Sequence, residues 1–124
     1  MAQVIDIRFK KEGLVKLIHS SGWERGFRSK GDWEGPYQSM GLLPNANVTY
    51  FAKGMHKQGM RVGVWEVTFI PHNREIPLSI MLGKYLNNER HGEWIIRKSG
   101  KPIEKYIYEN GEVIKKYEEI RTRT

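Results

Sequence analysis

Four histidines, His19, His56, His72 and His91, are the first residues whose chemistry could matter. No pair has H-x-x-x-H spacing, and Asp6 and Asp32 are the only two aspartates, so a metal cluster is poorly supplied. His56 and His91 fall in turn regions, where an imidazole is ordinarily solvated. General acid–base catalysis needs a carboxylate or histidine held in an apolar cleft beside a partner. Glu66 is the one acid inside a strongly apolar run, "VGVWEVTFI" (Val62–Ile70), and it alternates to the face opposite Trp65. The chain has no G-x-S-x-G nucleophile motif and no G-x-x-x-x-G-K-[ST] phosphate loop. It has no cysteine, so thiol catalysis, disulfides and cysteine–zinc sites are excluded. These features predict a protein that is not an enzyme and that uses no metal or cofactor.

The remaining chemistry is that of binding. Lysines and arginines stand beside rings in "GFRSKGDW" (Gly26–Trp33), "KGMHKQGMR" (Lys53–Arg61) and "RKSGKPIEKY" (Arg97–Tyr106). Lys53, Lys57, Arg61 and Arg97 have the reach to contact phosphates, and Trp33, Trp65 and Trp94 could form a ladder that stacks bases or grips a peptide. The plainer reading makes those tryptophans buried anchors of a sheet, paired across strands with Tyr37, Phe69 and Tyr85.

Composition sets the frame for these residues. The chain has 124 residues, enough for one domain with a modest core. Its net charge is +7, with seven Lys/Arg against three Asp/Glu in 1–30 and eight against five in 95–124. The excess sits at the two ends, whereas a nucleic-acid binder concentrates charge on one face or groove. No run of apolar residues is long enough for a transmembrane helix. The first residues, "MAQVIDIRFKKEG", lack the shape of a signal peptide. A cytoplasmic location is the expectation, with a membrane partner disfavoured.

The elements that must position the binding residues read as strands. "VGVWEVTFI" alternates with period two and is rich in β-branched and aromatic residues. "PHNRE", "NNER", "SGK" and Asn110-Gly111 carry turn chemistry, and Asn-Gly is the strongest short hairpin signal. The spacing Gly, eight residues, Gly, one residue, Trp occurs three times: Gly22–Gly31–Trp33, Gly54–Gly63–Trp65 and Gly83–Gly92–Trp94. Self-similarity at this period signals a repeat architecture. The expectation is one all-β domain over 1–124, an antiparallel meander of repeated hairpins with few or no helices. Residues 1–21 form an N-terminal capping hairpin, 22–113 three hairpin units, and 114–124 a C-terminal strand or tail. Trp33, Trp65, Trp94, Gly31, Gly63 and Gly92 are the expected repeat anchors.

"GKYLNNERHGEWIIRKSGKPIEKYIYENGEV" (Gly83–Val113) resembles the MORN-repeat family, more closely its bacterial variant. Gly83, Tyr85, Asn87, Gly92, Trp94, the Ser99-Gly100-Lys101 turn and Asn110-Gly111 fall where that pattern puts them. The second unit keeps Gly54, Gly59, Gly63 and Trp65 but has Met55-His56 where Lys-Tyr would stand, and the first is degenerate. The resemblance spans about residues 22–113 and implies an elongated sheet of stacked hairpins, of structural, lipid-associated or antitoxin-like type. It carries over no catalytic residue. An open sheet this short leaves an aromatic face or an edge uncovered. The expected function is therefore non-enzymatic: a bacterial or phage protein that occupies a macromolecular protein partner, as an inhibitor or antitoxin does. Trp23, Tyr37, Arg61, Tyr85 and Arg90 are the expected contacts. Nucleic-acid binding through Lys53, Lys57 and Arg97 is the alternative, and homodimerisation through sheet edges is a further expectation.

Overall fold

The computed structural model describes residues 5–6, 13–43, 45 and 47–118. Among these residues, ten strands follow one another in a single antiparallel sheet whose spatial order is the chain order. They are β1 (Ile5–Asp6), β2 (Gly13–His19), β3 (Gly22–Ser29), β4 (Asp32–Leu43), β5 (Val48–Lys57), β6 (Met60–Pro71), β7 (Ser79–Leu86), β8 (Glu89–Lys98), β9 (Lys101–Glu109) and β10 (Glu112–Glu118). The expected all-β meander of hairpins is what the chain forms. The N-terminal hairpin is present as the pairing of Ile5 and Asp6 with Ile18 and Leu17, and its connection, 7–12, lies outside the described residues. The C-terminal strand is present as β10, and the tail from 119 lies outside them too.

Turn chemistry sets the meander. Lys30-Gly31, Gln58-Gly59, Asn87-Asn88, Ser99-Gly100 and Asn110-Gly111 each hold two successive residues at positive φ. That is what the type I′ hairpin turn requires, and its twist matches that of the strands. Four of these turns lie at one end of the sheet and tie successive hairpins together. Gly59 N–H donates to the Trp33 carbonyl at 3.0 Å, Asn88 N–H to Arg61 at 2.9 Å and Gly111 N–H to Arg90 at 3.2 Å. Each acceptor lies two residues past the preceding turn, so one bond recurs from hairpin to hairpin and locks their stagger.

This recurrence fixes the true phase of the repeat. Counted from the turns, Gly26, Gly54 and Gly83 are equivalent, and so are Tyr37, Trp65 and Trp94. The first unit is therefore "GFRSKGDWEGPY" (Gly26–Tyr37), four residues later than the spacing Gly22–Gly31–Trp33 suggests. Gly31 is a turn residue, Gly35 is the counterpart of Gly63 and Gly92, and Trp33 stands where Arg61 and Arg90 stand. Gly22 packs its backbone against Met40 instead of under a ring.

In the second and third units the ladder is interrupted in the same way. Lys53 pairs with Glu66 and Met55 with Val62, so Gly63-Val64-Trp65 bulges opposite Gly54 alone. Gly92-Glu93-Trp94 bulges opposite Gly83. The bulge swings each indole back across the lone glycine. Its N–H then donates to the next carbonyl, Trp65 to Met55 at 3.1 Å and Trp94 to Lys84 at 2.9 Å. Trp65 and Trp94 are 3% and 1% exposed, and with Ala52 they form the centre of the core. The core is thin because the sheet is a single layer. Among the described residues only Val15 joins these three as a buried apolar side chain.

Candidate binding surfaces

Cross-strand neighbours share a face, so the register assigns every candidate to one of two sides. The first face carries a continuous belt of rings from β4 to β9. Trp33 meets Tyr37 at 5.1 Å, Tyr37 meets His56 at 4.5 Å, and His56 meets Trp65 at 5.2 Å. Trp65 then meets Tyr85 at 5.8 Å, Tyr85 meets Trp94 at 5.1 Å and Trp94 meets Tyr108 at 6.3 Å, all edge to face. This is the favoured geometry for ring quadrupoles. Arginines cap the belt. Arg61 lies over Trp65 and Tyr85, Arg90 over Trp94 and Tyr108, and Arg28 over Trp33. Arg90 also donates to the Tyr108 hydroxyl at 2.9 Å. The tryptophans are thus anchors, not an open ladder. Tyr85 lies between two of them, while Phe69 lines a groove further along β6.

Beside the belt, Glu24 joins β2, β3 and β4. One carboxylate oxygen accepts from the Tyr37 hydroxyl and the other is bonded to His19 Nε2, each at 2.6 Å. Burial, and then the Glu24 hydrogen bond and charge, push the Tyr37 phenol well above its ordinary value. His56 is 7% exposed and its Nδ1 has no partner among the described residues. Burial first, and then the Arg61 charge, hold its pKa below the ordinary 6.5. The folded chain therefore favours neutral His56, and the unfolded chain binds the proton more readily. That contribution to stability is full above the ordinary value and is lost as pH falls through it. Denaturation midpoints should fall between about pH 7.5 and about pH 5.5, and less so in His56→Phe. Equal pH slopes in the two proteins would refute this.

The second face is the more apolar. Trp23 packs edge-on against Phe51 at 6.0 Å, and Lys16 and Arg25 lie over its ring at 5.1 and 5.4 Å. Arg25 reaches the Gln38 side-chain oxygen at 2.6 and 2.8 Å. Beyond them runs an open groove of about 750 Å³ across β2 to β7. Its walls include Leu14, Met55 and Val64, which are 78%, 42% and 54% exposed.

The expected contacts therefore divide. Tyr37, Arg61, Tyr85 and Arg90 share the first face, and Trp23, Lys53, Lys57 and Arg97 the second. Lys53, Lys57 and Arg97 do not converge on one groove. Lys53 lines it but is paired with Glu66 at 3.6 Å, and the other two are not part of its wall. Glu66 is thus an ion-pair partner on the face opposite Trp65. The sequence reading did not single out Leu14, Lys16, Arg25, Met55 or Val64, nor the His19–Glu24–Tyr37 network. The signal for the network was the five-residue separation of His19 and Glu24 around a tight turn.

Among the described residues no group of three or more His, Asp or Glu is placed to hold a metal ion. Nor is any helix among them long and apolar enough to cross a membrane. No protein-family model, curated protein or solved structure matches the chain.

Proposed function

We propose that this chain is a non-enzymatic binding protein that occupies a protein partner through its second face, in the manner of an inhibitor or antitoxin-like protein. The glycine–aromatic resemblance to MORN-like repeats is in keeping with that role. The observation that carries the reading is the uncovered groove. Leu14, Met55 and Val64 expose large apolar side chains on a sheet that, among the described residues, has no second layer to receive them. Apolar patches of this kind mark interaction sites. The cations at its margin, Lys16, Arg25 and Lys53, fit a partner that presents apolar side chains flanked by carboxylates.

Val64→Glu and Leu14→Glu place a charge at exposed positions and should leave the fold intact. Each should reduce recovery of the partner by at least about tenfold in a pull-down matched for protein concentration, with an unchanged thermal midpoint. Equal recovery by wild type and both variants would count against this face.

One observation favours nucleic acid as a second reading: two cations, Lys16 and Arg25, lie at the Trp23 ring. Stacking on Trp23 with phosphates on those cations predicts binding that weakens steeply with salt. A gel shift at low salt that shows no complex with DNA or RNA excludes it.

A further inference from the structure

The first face holds a second, smaller groove beside the aromatic belt, with a volume of about 500 Å³. That lies within the range of small-molecule pockets, roughly 300–1,000 Å³. Its floor is kept low by small residues. Ala52 lies at the centre, and Gly41 lies under the Tyr50 ring, where a Cβ would fall 2.6 Å from a ring carbon. Tyr50, Val67 and Phe69 give the floor its apolar surface.

Two polar groups at the turn end of the groove are left without their usual partners. Arg61 is exposed, and its guanidinium is held over Trp65 and Tyr85. Among the described residues no carboxylate lies within ion-pair reach of it. Ring contacts occupy the face of a guanidinium and leave its N–H edge for an anion. Beside it, buried His56 keeps an unpartnered Nδ1. The side of the groove toward β3 is different. Both oxygens of Glu24 are already engaged by Tyr37 and His19, so it offers no open counter-charge, and its negative charge repels an anion. Four residues of β5, about 13 Å, separate the Ala52 row, which continues to Glu24, from the His56 row, which continues to Arg61. The groove therefore has a polarity: a cationic end at Arg61, an apolar floor at Ala52 and Val67, and an anionic side at Glu24, level with Ala52 and two strands away.

We infer that this groove binds a small ring-bearing anion, with its planar ring over the Arg61 side of the Ala52–Val67 floor and its phosphate or carboxylate on Arg61. This site lies on the face opposite the proposed partner surface and is independent of it.

Adenosine monophosphate and naphthalene-2-carboxylate are suitable probes, one for each anion. Adenosine and inorganic phosphate are the controls, each carrying one half of the recognition. In wild-type protein at least one anionic probe should shift the NMR signals of the Trp65 indole N–H and the His56 ring, and leave Val64 and Leu82 unmoved. Adenosine and phosphate alone should bind at least about tenfold more weakly than the better probe. A phosphate ligand is indicated if only the nucleotide binds, and a carboxylate ligand if only the naphthoate does. Arg61→Gln, at an exposed position, should weaken the better probe at least about tenfold with an unchanged circular dichroism spectrum. The inference is overturned if neither anion shifts these signals at millimolar concentration. It is also overturned if the shifts fall on the second face, or if Arg61→Gln binds as wild type does.

Discussion

Trp94→Ala should lower the free energy of unfolding by about 3–5 kcal/mol, and Trp33→Ala by about half of that or less. The difference follows from the phase of the repeat. Trp94 is 1% exposed, covers Gly83, donates to the Lys84 carbonyl and holds Tyr85, Tyr108 and Arg90 around its ring. Its removal opens a cavity and leaves a carbonyl without its donor at the interrupted ladder, so two costs add. Trp33 occupies the position that arginine holds in the next two hairpins. It is half-buried, meets Gly26 only by its ring edge, and among the described residues has no indole N–H bond comparable to those of Trp65 and Trp94. A small domain is stable by about 5–15 kcal/mol, so Trp94→Ala brings it close to unfolding and Trp33→Ala does not. Urea denaturation followed by far-ultraviolet circular dichroism measures both. Equal costs for the two substitutions would refute the unequal structural roles assigned to Trp33 and Trp94.

The unit Gly83–Trp94 was legible because every cue agreed: Asn-Asn at the turn, glycines on either side and one tryptophan at the end. The first unit was misphased because glycine spacing is a weak cue in a chain with 13 of them. Gly22, Gly31 and Trp33 reproduce the spacing, but the turn needs two residues at positive φ, and Lys30-Gly31 is that pair. The ring that follows at the right distance is Tyr37, disguised by the Pro36 before it. Strand patterning was legible since period two survives the bulges of β3–β4, β5–β6 and β7–β8, where three residues opposite one shift the count by two.

Sites were harder because they depend on register as well as on face. Lys53 and Lys57 share a face, yet four residues of strand separate them by about 13 Å. Arg97 is on β8, three strands from β5, or roughly 14 Å across the sheet. A common face is not a common site. Conversely, His19, Glu24 and Tyr37 sit on three different strands and meet only through the pairings of β2, β3 and β4. Nothing in their spacing alone brings Tyr37 to Glu24.

The same geometry gives the second large effect. Gly83→Ala should destabilise the chain by about as much as the loss of Trp94, although it adds only one methyl group. An alanine Cβ at Gly83 would lie 2.1 Å from Trp94 Cδ2 and 2.4 Å from Cε2, and at Gly54 it would lie 2.1 Å from Trp65 Cδ2. Neither glycine has positive φ, so the cost is not one of backbone conformation but of space beneath the ring. The indole cannot lift without giving up its bond to Lys84 and its packing against Tyr85. Overpacking ordinarily costs about 1–3 kcal/mol, and the lost indole contacts raise it further. The two mutations should then be strongly coupled. With the ring gone, the methyl of Gly83→Ala meets open space, so in a Trp94→Ala background it should cost little beyond a change in strand propensity. The double mutant should be nearly as stable as Trp94→Ala alone, so the coupling energy in a double-mutant cycle should come close to the whole cost of Gly83→Ala. Additive costs would mean that Gly83 and Trp94 act separately, and that the ring over the glycine is not what holds each hairpin of the repeat.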